Sequence, residues 1–124
     1  MKRDFELIRL ILADIEKVPA GKTYKGFENI KNYDIDTIRA HVELLIEAGL
    51  VKGSVLPSSR SKGSISILSV ERLTWDGHDF LGATRDETVW NEAREIVLKP
   101  ATSMTYDILF QWLKVQASEI IGLS

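Results

Sequence analysis

Apolar residues recur at helical spacing through the middle of the chain, between Asp34 and Lys52. They fall on one face of a helix and are Ile35, Ile38, Val42, Leu45 and Ile46. Spacings of three and four residues predict an amphipathic helix. Its N-terminus is expected to be capped by Asp34 or Asp36, either of which can accept a backbone N–H. Gly49 predicts a left-handed turn at its end, after which Leu50 begins an extended segment.

A second periodic stretch, Asp4–Val18, predicts a helix at the start of the chain. Its apolar arc is wider than a surface stripe and comprises Phe5, Leu7, Ile8, Leu10, Ile11, Leu12 and Ile15. We expect this helix to be central to a small core, and Pro19–Gly21 to end it. Thr23–Phe27 is rich in β-formers and is assigned as a short strand. Glu28–Tyr33 supplies only about one helical turn.

Two stretches after the central helix alternate apolar and polar residues, which indicates β-strands. They are Leu50–Leu56 and Ser64–Thr74, and the connection between them is polar and basic. In the second strand Leu68 and Val70 are expected to share a face, opposite Ile67. The sequence therefore predicts a β-hairpin with a loose basic tip.

Two helices are predicted after the hairpin. Thr74 caps the first, and Trp75, Phe80 and Leu81 are expected to supply its apolar contacts. The second spans Asp86–Leu98 and ends before a Lys-Pro pair. The side chains that this second helix directs toward a core are Val89, Trp90, Ala93 and Val97.

The last helix begins at a cap formed by Ser103 or Thr102 and ends at Gly122, and it carries two apolar stripes. The stripe suited to a core comprises Tyr106, Leu109, Phe110, Leu113, Ala117 and Ile120. The stripe on the opposite side comprises Met104, Ile108, Trp112 and Val115. A surface helix needs one stripe, so the second indicates either that the same domain covers both faces or that a dimer or protein partner does.

Composition limits the class of protein. With 124 residues, 44% apolar and 27% charged, the chain is typical of one globular domain. The absence of cysteine excludes disulfides and thiolate metal sites. No apolar run reaches the length of a membrane span and no signal-peptide core is present, so we expect a cytoplasmic protein without membrane contact.

Charge is unevenly distributed along a chain whose net charge is −2. Counting Lys and Arg against Asp and Glu gives about +2 for residues 1–33, −3 for 34–51, +3 for 52–72, −4 for 73–95 and 0 for 96–124. The net charge does not favour a nucleic-acid binder, but the hairpin segment is a basic island.

The pattern Leu-Thr-Trp-x-Gly-His-x-Phe-Leu stands at Leu73–Leu81, and His-x-x-Leu-Leu-x-x-Ala-Gly-Leu stands at His41–Leu50. Together with the opening Met1–Asp4, these runs resemble an uncharacterised domain-of-unknown-function family of short bacterial and prophage proteins. The resemblance covers nearly the whole chain and implies a winged-helix-like fold, but no known reaction, ligand or partner. The central helix, leading through Gly49 into a strand, likewise resembles the third helix of winged helix-turn-helix domains.

No catalytic constellation, phosphate-binding loop or metal-ligand spacing is present, so we expect a non-enzymatic protein without a cofactor, metal or small-molecule ligand. His41 is expected to be a half-buried histidine hydrogen-bonded to the backbone or to a carboxylate, rather than a ligand. His78 lies between Asp76 and Asp79, but these three side chains do not share a helix face as metal ligands would. Gly77 is expected to permit close packing of a hairpin strand against its helix.

Duplex DNA is one candidate partner, because a flexible basic tip can contact phosphates or enter a minor groove. The candidate DNA-binding residues are Arg39, Lys52, Arg60, Lys62 and Arg72. Against this interpretation, the central helix carries Asp36, Glu43 and Glu47 opposite its apolar face, and these acids would repel phosphate. The candidate interface for a dimer or protein partner is the second stripe of the last helix.

The sequence thus predicts an α+β fold, a winged helix-turn-helix-like domain extended by C-terminal helices. Residues 1–82 are assigned to the winged-helix-like part and residues 83–124 to a helical extension packed on it, which is also the candidate dimerisation element. Two functions remain open: a regulatory protein with weak or non-specific DNA contact through the wing, or a protein-interaction module on the same scaffold that binds no nucleic acid.

Overall fold

A computed structural model describes residues 1–27, 30–56, 67–97 and 106–120. The fold is α+β. Its helices are α1 (Phe5–Glu16), α2 (Ile35–Glu47), α3 (Trp75–Ala83), α4 (Glu87–Glu92) and α5 (Tyr106–Ile120), and its strands are β1 (Val51–Leu56) and β2 (Ile67–Leu73). One π-helical turn, Ala93–Val97, follows α4 directly. The ends of the predicted second strand and of the last two predicted helices lie partly outside the described residues.

Side-chain caps fix where the helices begin. Asp34, one of the two predicted candidates, accepts the backbone N–H of Thr37 at the start of α2. Thr74 accepts that of Gly77 at the start of α3, as predicted. Each cap accepts a backbone N–H that has no partner within the helix. These polar residues therefore define the residue at which each helix begins. The predicted cap Ser103 or Thr102 lies outside the described residues.

The chain divides into two compact units, Met1–His78 and Asp79–Ser124. In the first unit, α1 and α2 pack together and α1 contacts β2. The buried apolar side chains of this unit are Leu7, Ile8, Ile11, Leu12, Ile15, Tyr24, Ile38, Val42, Leu45, Leu50, Val51, Val70 and Leu73. The prediction that the first helix is central to a core is therefore confirmed.

In the second unit, α5 packs on α4 and on the π-helical turn. Phe80 and Phe110 meet edge to face, with ring centroids 5.5 Å apart, a favourable arrangement for aromatic pairs. The buried apolar side chains of this unit are Phe80, Leu81, Val89, Trp90, Ala93, Leu109, Phe110 and Leu113. The burial predicted for these eight positions is therefore confirmed.

β1 and β2 form an antiparallel hairpin whose register shifts between Lys52 and Gly53. Lys52 pairs with Arg72 and Gly53 pairs with Val70, so Glu71 is an extra residue in β2, which defines a β-bulge. Gly53 is required here, because a Cβ at this position would run into the carbonyl oxygen of Ser69.

Two predictions about local structure are wrong. Thr23–Phe27 is not a strand; its contact with the sheet is a backbone hydrogen bond from the N–H of Tyr24 to the carbonyl of Val70, at 2.9 Å. A β-rich composition is a weak signal when only one ladder bond forms. Trp75 does not supply a core contact and is 82% exposed.

Candidate functional site

The base of the hairpin brings together two of the five candidate DNA-binding residues. Lys52 and Arg72 are cross-strand partners. Lys52 Nζ lies 3.7 Å from Glu71 Oε2, and the Arg72 guanidinium donates to the carbonyl of Leu73 at 3.0 Å. Both cations therefore interact with their own hairpin, although the exposed Lys52–Glu71 pair is weak because solvent screens it.

The bulge determines what these side chains face. In a regular strand Glu71 and Arg72 would point to opposite sides of the sheet, whereas a bulge re-aims the side chains beside it. Here both residues line one open groove of about 330 Å³, together with residues 18–23 of the segment after α1. The groove holds charges of both signs, since Lys22 and Arg72 are accompanied by Glu71.

Arg39 lies against an aromatic ring of its own chain. Its guanidinium carbon is 5.4 Å from the centroid of the Phe27 ring, within cation–π range. Phe27 in turn meets Tyr24 edge to face at 5.2 Å. Arg39 is half-buried, whereas Asp36 and Glu47 of the same helix are exposed. The remaining candidates, Arg60 and Lys62, lie outside the described residues.

The second stripe of the last helix lies on the outer side of α5. Ile108 is 52% exposed, Val115 is 55% exposed and Trp112 is half-buried. On the inner side of the same helix, Leu109 and Leu113 are completely buried. α5 therefore has a core face and an outward apolar face, while Met104 lies outside the described residues.

Trp75 is the surface residue that the sequence interpretation missed. The helix positions that α3 buries are Gly77, Phe80, Leu81 and, just beyond its end, Thr84. At 100° per residue these four positions centre on the side of the helix opposite Trp75. The spacing of Gly77, Phe80 and Leu81 was therefore a signal in the sequence that Trp75 points outward.

His41 is a structural residue of the first unit. Its ring is completely buried, Nε2 accepts the backbone N–H of Asp4 at 2.9 Å, and Nδ1 lies 2.9 Å from the carbonyl of Thr37. Because Nε2 is an acceptor, the proton is on Nδ1 and is donated to Thr37. The prediction of a backbone-bonded histidine is confirmed, with deeper burial than expected.

Burial and hydrogen bonds shift the pKa values of three side chains in the first unit. The Tyr24 hydroxyl donates to Asp14 Oδ2 at 2.6 Å, and burial, followed by this bond, raises the pKa of Tyr24. Burial and the neighbouring Asp4 carboxylate likewise raise the pKa of Tyr33. The bonds from Thr37 lower the pKa of Asp34. Each of these interactions joins or caps structural elements.

His78 Nδ1 lies 3.8 Å from Glu16 Oε2 on the surface of the first unit. Within the described part of the chain, no three side chains of His, Asp or Glu are grouped closely enough to hold a metal ion. None of the described helices is both long and apolar enough to cross a membrane.

These features define an α+β protein with a bulged two-stranded hairpin and helices on either side of it in sequence. The chain belongs to the family described as "Hypothetical protein (DUF2513)", whose model matches residues 2–103. A protein of Haemophilus influenzae described as "Uncharacterized protein" is 28% identical over 122 residues, which are 98% of this chain and all of the relative. No solved structure matches the chain.

Proposed function

We propose that this chain is a non-enzymatic protein-interaction module of bacterial or prophage origin, built on a winged-helix scaffold. The order of elements supports the scaffold in part: α1, a segment beside β2, α2 and the β1–β2 hairpin come in winged-helix order, but residues 30–34, where a second helix would lie, are not helical. The hydrogen bond from Tyr24 to Val70 lies where the first strand of such a domain would join the sheet. In this proposal α2 would take the place of the recognition helix.

The charge on α2 argues against reading of bases by this helix. A recognition helix presents donors and cations to a groove bordered by phosphates. α2 instead exposes Asp36 and Glu47, with Glu43 half-buried between them, and its only cation, Arg39, is stacked on Phe27. A scaffold with this surface suits a protein partner better than the major groove.

The outward apolar face of α5 carries the proposal, because a helix whose core face is already complete gains nothing in the monomer from a second apolar stripe. Trp112 with Val115 provides an aromatic anchor beside a branched aliphatic side chain, a composition typical of interface centres. The occupant we propose is a second copy of the chain, related by a two-fold axis that brings the two α5 helices together.

Sedimentation of the full chain over a wide concentration range tests this proposal. We expect a dimer for the wild type and folded monomers for Trp112→Glu and Val115→Glu, because a carboxylate in the centre of an apolar interface is left unpaired. Thr88→Glu is the matched control, since Thr88 is exposed on α4 and does not belong to the α5 stripe. A wild type that stays monomeric at high concentration, or a dimer that survives both stripe variants, would overturn the proposal.

Contact with DNA through the wing is a second candidate function. It is favoured by the cross-strand pair Lys52 and Arg72, which begins a hairpin whose connection contains Arg60 and Lys62 in its sequence. Fluorescence anisotropy with random duplex DNA at low and moderate salt is the test. If phosphates are bound, affinity falls steeply with salt and falls further when Arg60 and Lys62 become Ala.

Lys2→Ala with Lys31→Ala serves as the control for the DNA measurement, because it removes the same amount of charge at exposed positions outside the hairpin. Equal losses in the two double variants would assign the binding to net charge and not to the wing. No binding at low salt would leave the protein-interaction module as the remaining function.

A further inference from the structure

We propose that Trp75, at the start of α3, is the anchor of a second docking surface, whose occupant is an Arg- or Lys-bearing segment of a partner protein. This surface belongs to the first unit, whereas the α5 stripe belongs to the second. Trp75 is 82% exposed, the highest value among the large apolar side chains that the structure describes. An indole exposed to this extent forgoes a large burial energy that a partner could supply.

The backbone beneath Trp75 is rigidly held. The Thr74 hydroxyl donates to the carbonyl of Gly49 at 2.6 Å and accepts the N–H of Gly77 at 3.0 Å, while the N–H of Thr74 donates to the carbonyl of Leu50 at 3.0 Å. Gly77 packs so closely on Leu50 that a Cβ there would overlap the Leu50 carbonyl oxygen. An anchor on a fixed backbone loses little conformational entropy when it binds.

The acidic residues of the segments that meet at Thr74 indicate the partner's chemistry. Asp76 adjoins Trp75 and is exposed. One turn along the helix, His78 faces the Glu16 carboxylate. Glu47, exposed at the end of α2, is two residues before the Gly49 carbonyl that Thr74 contacts. An exposed aromatic side chain on an acidic surface attracts a guanidinium or ammonium group and repels phosphate, so a basic polypeptide fits and a nucleic acid or an anionic lipid does not.

The indole N–H signals of the ¹⁵N-labelled full chain provide the first measurement. The probe is the synthetic peptide Arg-Gly-Arg-Gly-Arg, with Glu-Gly-Glu-Gly-Glu as its charge-reversed counterpart. We expect the basic peptide to shift the indole signal of Trp75 and to leave that of Trp90, which is buried, in place. Absence of a shift at Trp75, or an equal shift with the acidic peptide, would overturn the proposal.

Anisotropy with the labelled basic peptide provides the second measurement. Trp75→Ala should weaken binding about fivefold or more, Trp75→Phe should lose less, and Asp76→Asn should weaken binding and flatten its salt dependence. Leu56→Ala is the matched control, because Leu56 is also a large exposed apolar residue, at 57%, but lies in β1 away from these carboxylates. Equal binding by Trp75→Ala and Leu56→Ala would overturn the proposal.

Two outcomes separate this surface from the proposed dimer. The Trp112→Glu monomer should bind the basic peptide as the wild type does, so loss of dimerisation and loss of peptide binding are independent. If Trp75→Ala instead converts a wild-type dimer to a monomer, the occupant is a second copy of the chain and the assignment to a basic partner segment is wrong.

Discussion

The Nε2 atom of His41 accepts a hydrogen bond from the backbone N–H of Asp4, 37 residues earlier in the chain. The bond joins α2 to the residue that caps α1, because the Asp4 side chain accepts the N–H of Leu7. Both nitrogens of the ring are used, since Nδ1 bonds the Thr37 carbonyl within α2. The imidazole thus connects the N-terminus of α1 to the middle of α2 through a buried position.

Replacing His41 with Ala should lower the free energy of unfolding by about 2–3 kcal/mol, because the buried N–H of Asp4 loses its acceptor. Chemical denaturation measures the change. His78→Ala is the matched control: His78 is exposed, and its substitution should stay within about 0.5 kcal/mol of the wild type. Similar losses in both variants would show that the buried connection contributes little.

Two glycines of α3 should respond with opposite sign to the same substitution. Gly77→Ala should destabilise the chain by about 1–3 kcal/mol, since its Cβ would overlap the Leu50 carbonyl oxygen and the helix would have to move. Gly82→Ala should stabilise it by up to about 1 kcal/mol, because Ala is the better helix former and nothing lies within 4 Å of the new Cβ. Thermal melts of the two variants are the measurement, and a shift of the same sign in both would contradict the packing argument.

Stability should fall in alkaline solution as Tyr24 ionises. The pKa of Tyr24 in the folded chain is raised above its ordinary value of 10.0 by burial and by the bond to Asp14. Its contribution is therefore complete below pH 10 and is lost as pH rises toward the folded pKa. Tyr24→Phe should lower stability at neutral pH by about 1 kcal/mol and make the alkaline decline less steep.

The contribution of Asp34 to stability should be lost in acid, whereas that of Tyr24 is lost in alkaline solution. The bonds from Thr37 lower its pKa in the folded chain, so its contribution is present above the ordinary carboxyl pKa and is lost as pH falls through the folded value. Asp34→Ala should therefore destabilise the chain at neutral pH and have a smaller effect in acid. Asp36→Ala, which removes a carboxylate from the same turn and leaves the Thr37 bonds intact, is the control in the same denaturation series.

The elements that could be predicted from sequence are those set by local physics. The spacing of apolar residues predicted α1 and α2. A polar residue just before each apolar stretch predicted the caps at Asp34 and Thr74. Gly49 predicted the turn after α2, and its φ there is +79°. Tyr24 and Trp75 were misassigned because β-propensity and hydrophobicity do not say which neighbours are present. The π-helical turn and the bulge depend on packing between elements, which leaves no fixed residue pattern.

The candidate surfaces likewise divide into those that local sequence predicts and those that depend on packing between elements. The outward stripe of α5 could be predicted because it is a spacing along one helix. The interaction of Lys52 with Glu71 required the register of the hairpin, and the stacking of Arg39 on Phe27 required the path of the chain before α2. A count of charges along the sequence does not include these internal partners.

Because Glu71 is an extra residue, the alternation of buried and exposed positions along β2 shifts by one residue at the bulge. On the α3 side of the bulge the odd-numbered Leu73 is buried, whereas beyond it the even-numbered Val70 is buried. Deleting Glu71 would remove the bulge and leave Leu73 and Val70 on the same buried face, whereas deleting a residue elsewhere in β2 would exchange the two faces of the strand beyond the deletion. A deletion of one residue should therefore be tolerated at the bulge, while length changes in the rest of β2 should come in pairs of residues or be accompanied by an exchange of apolar and polar positions along its distal half.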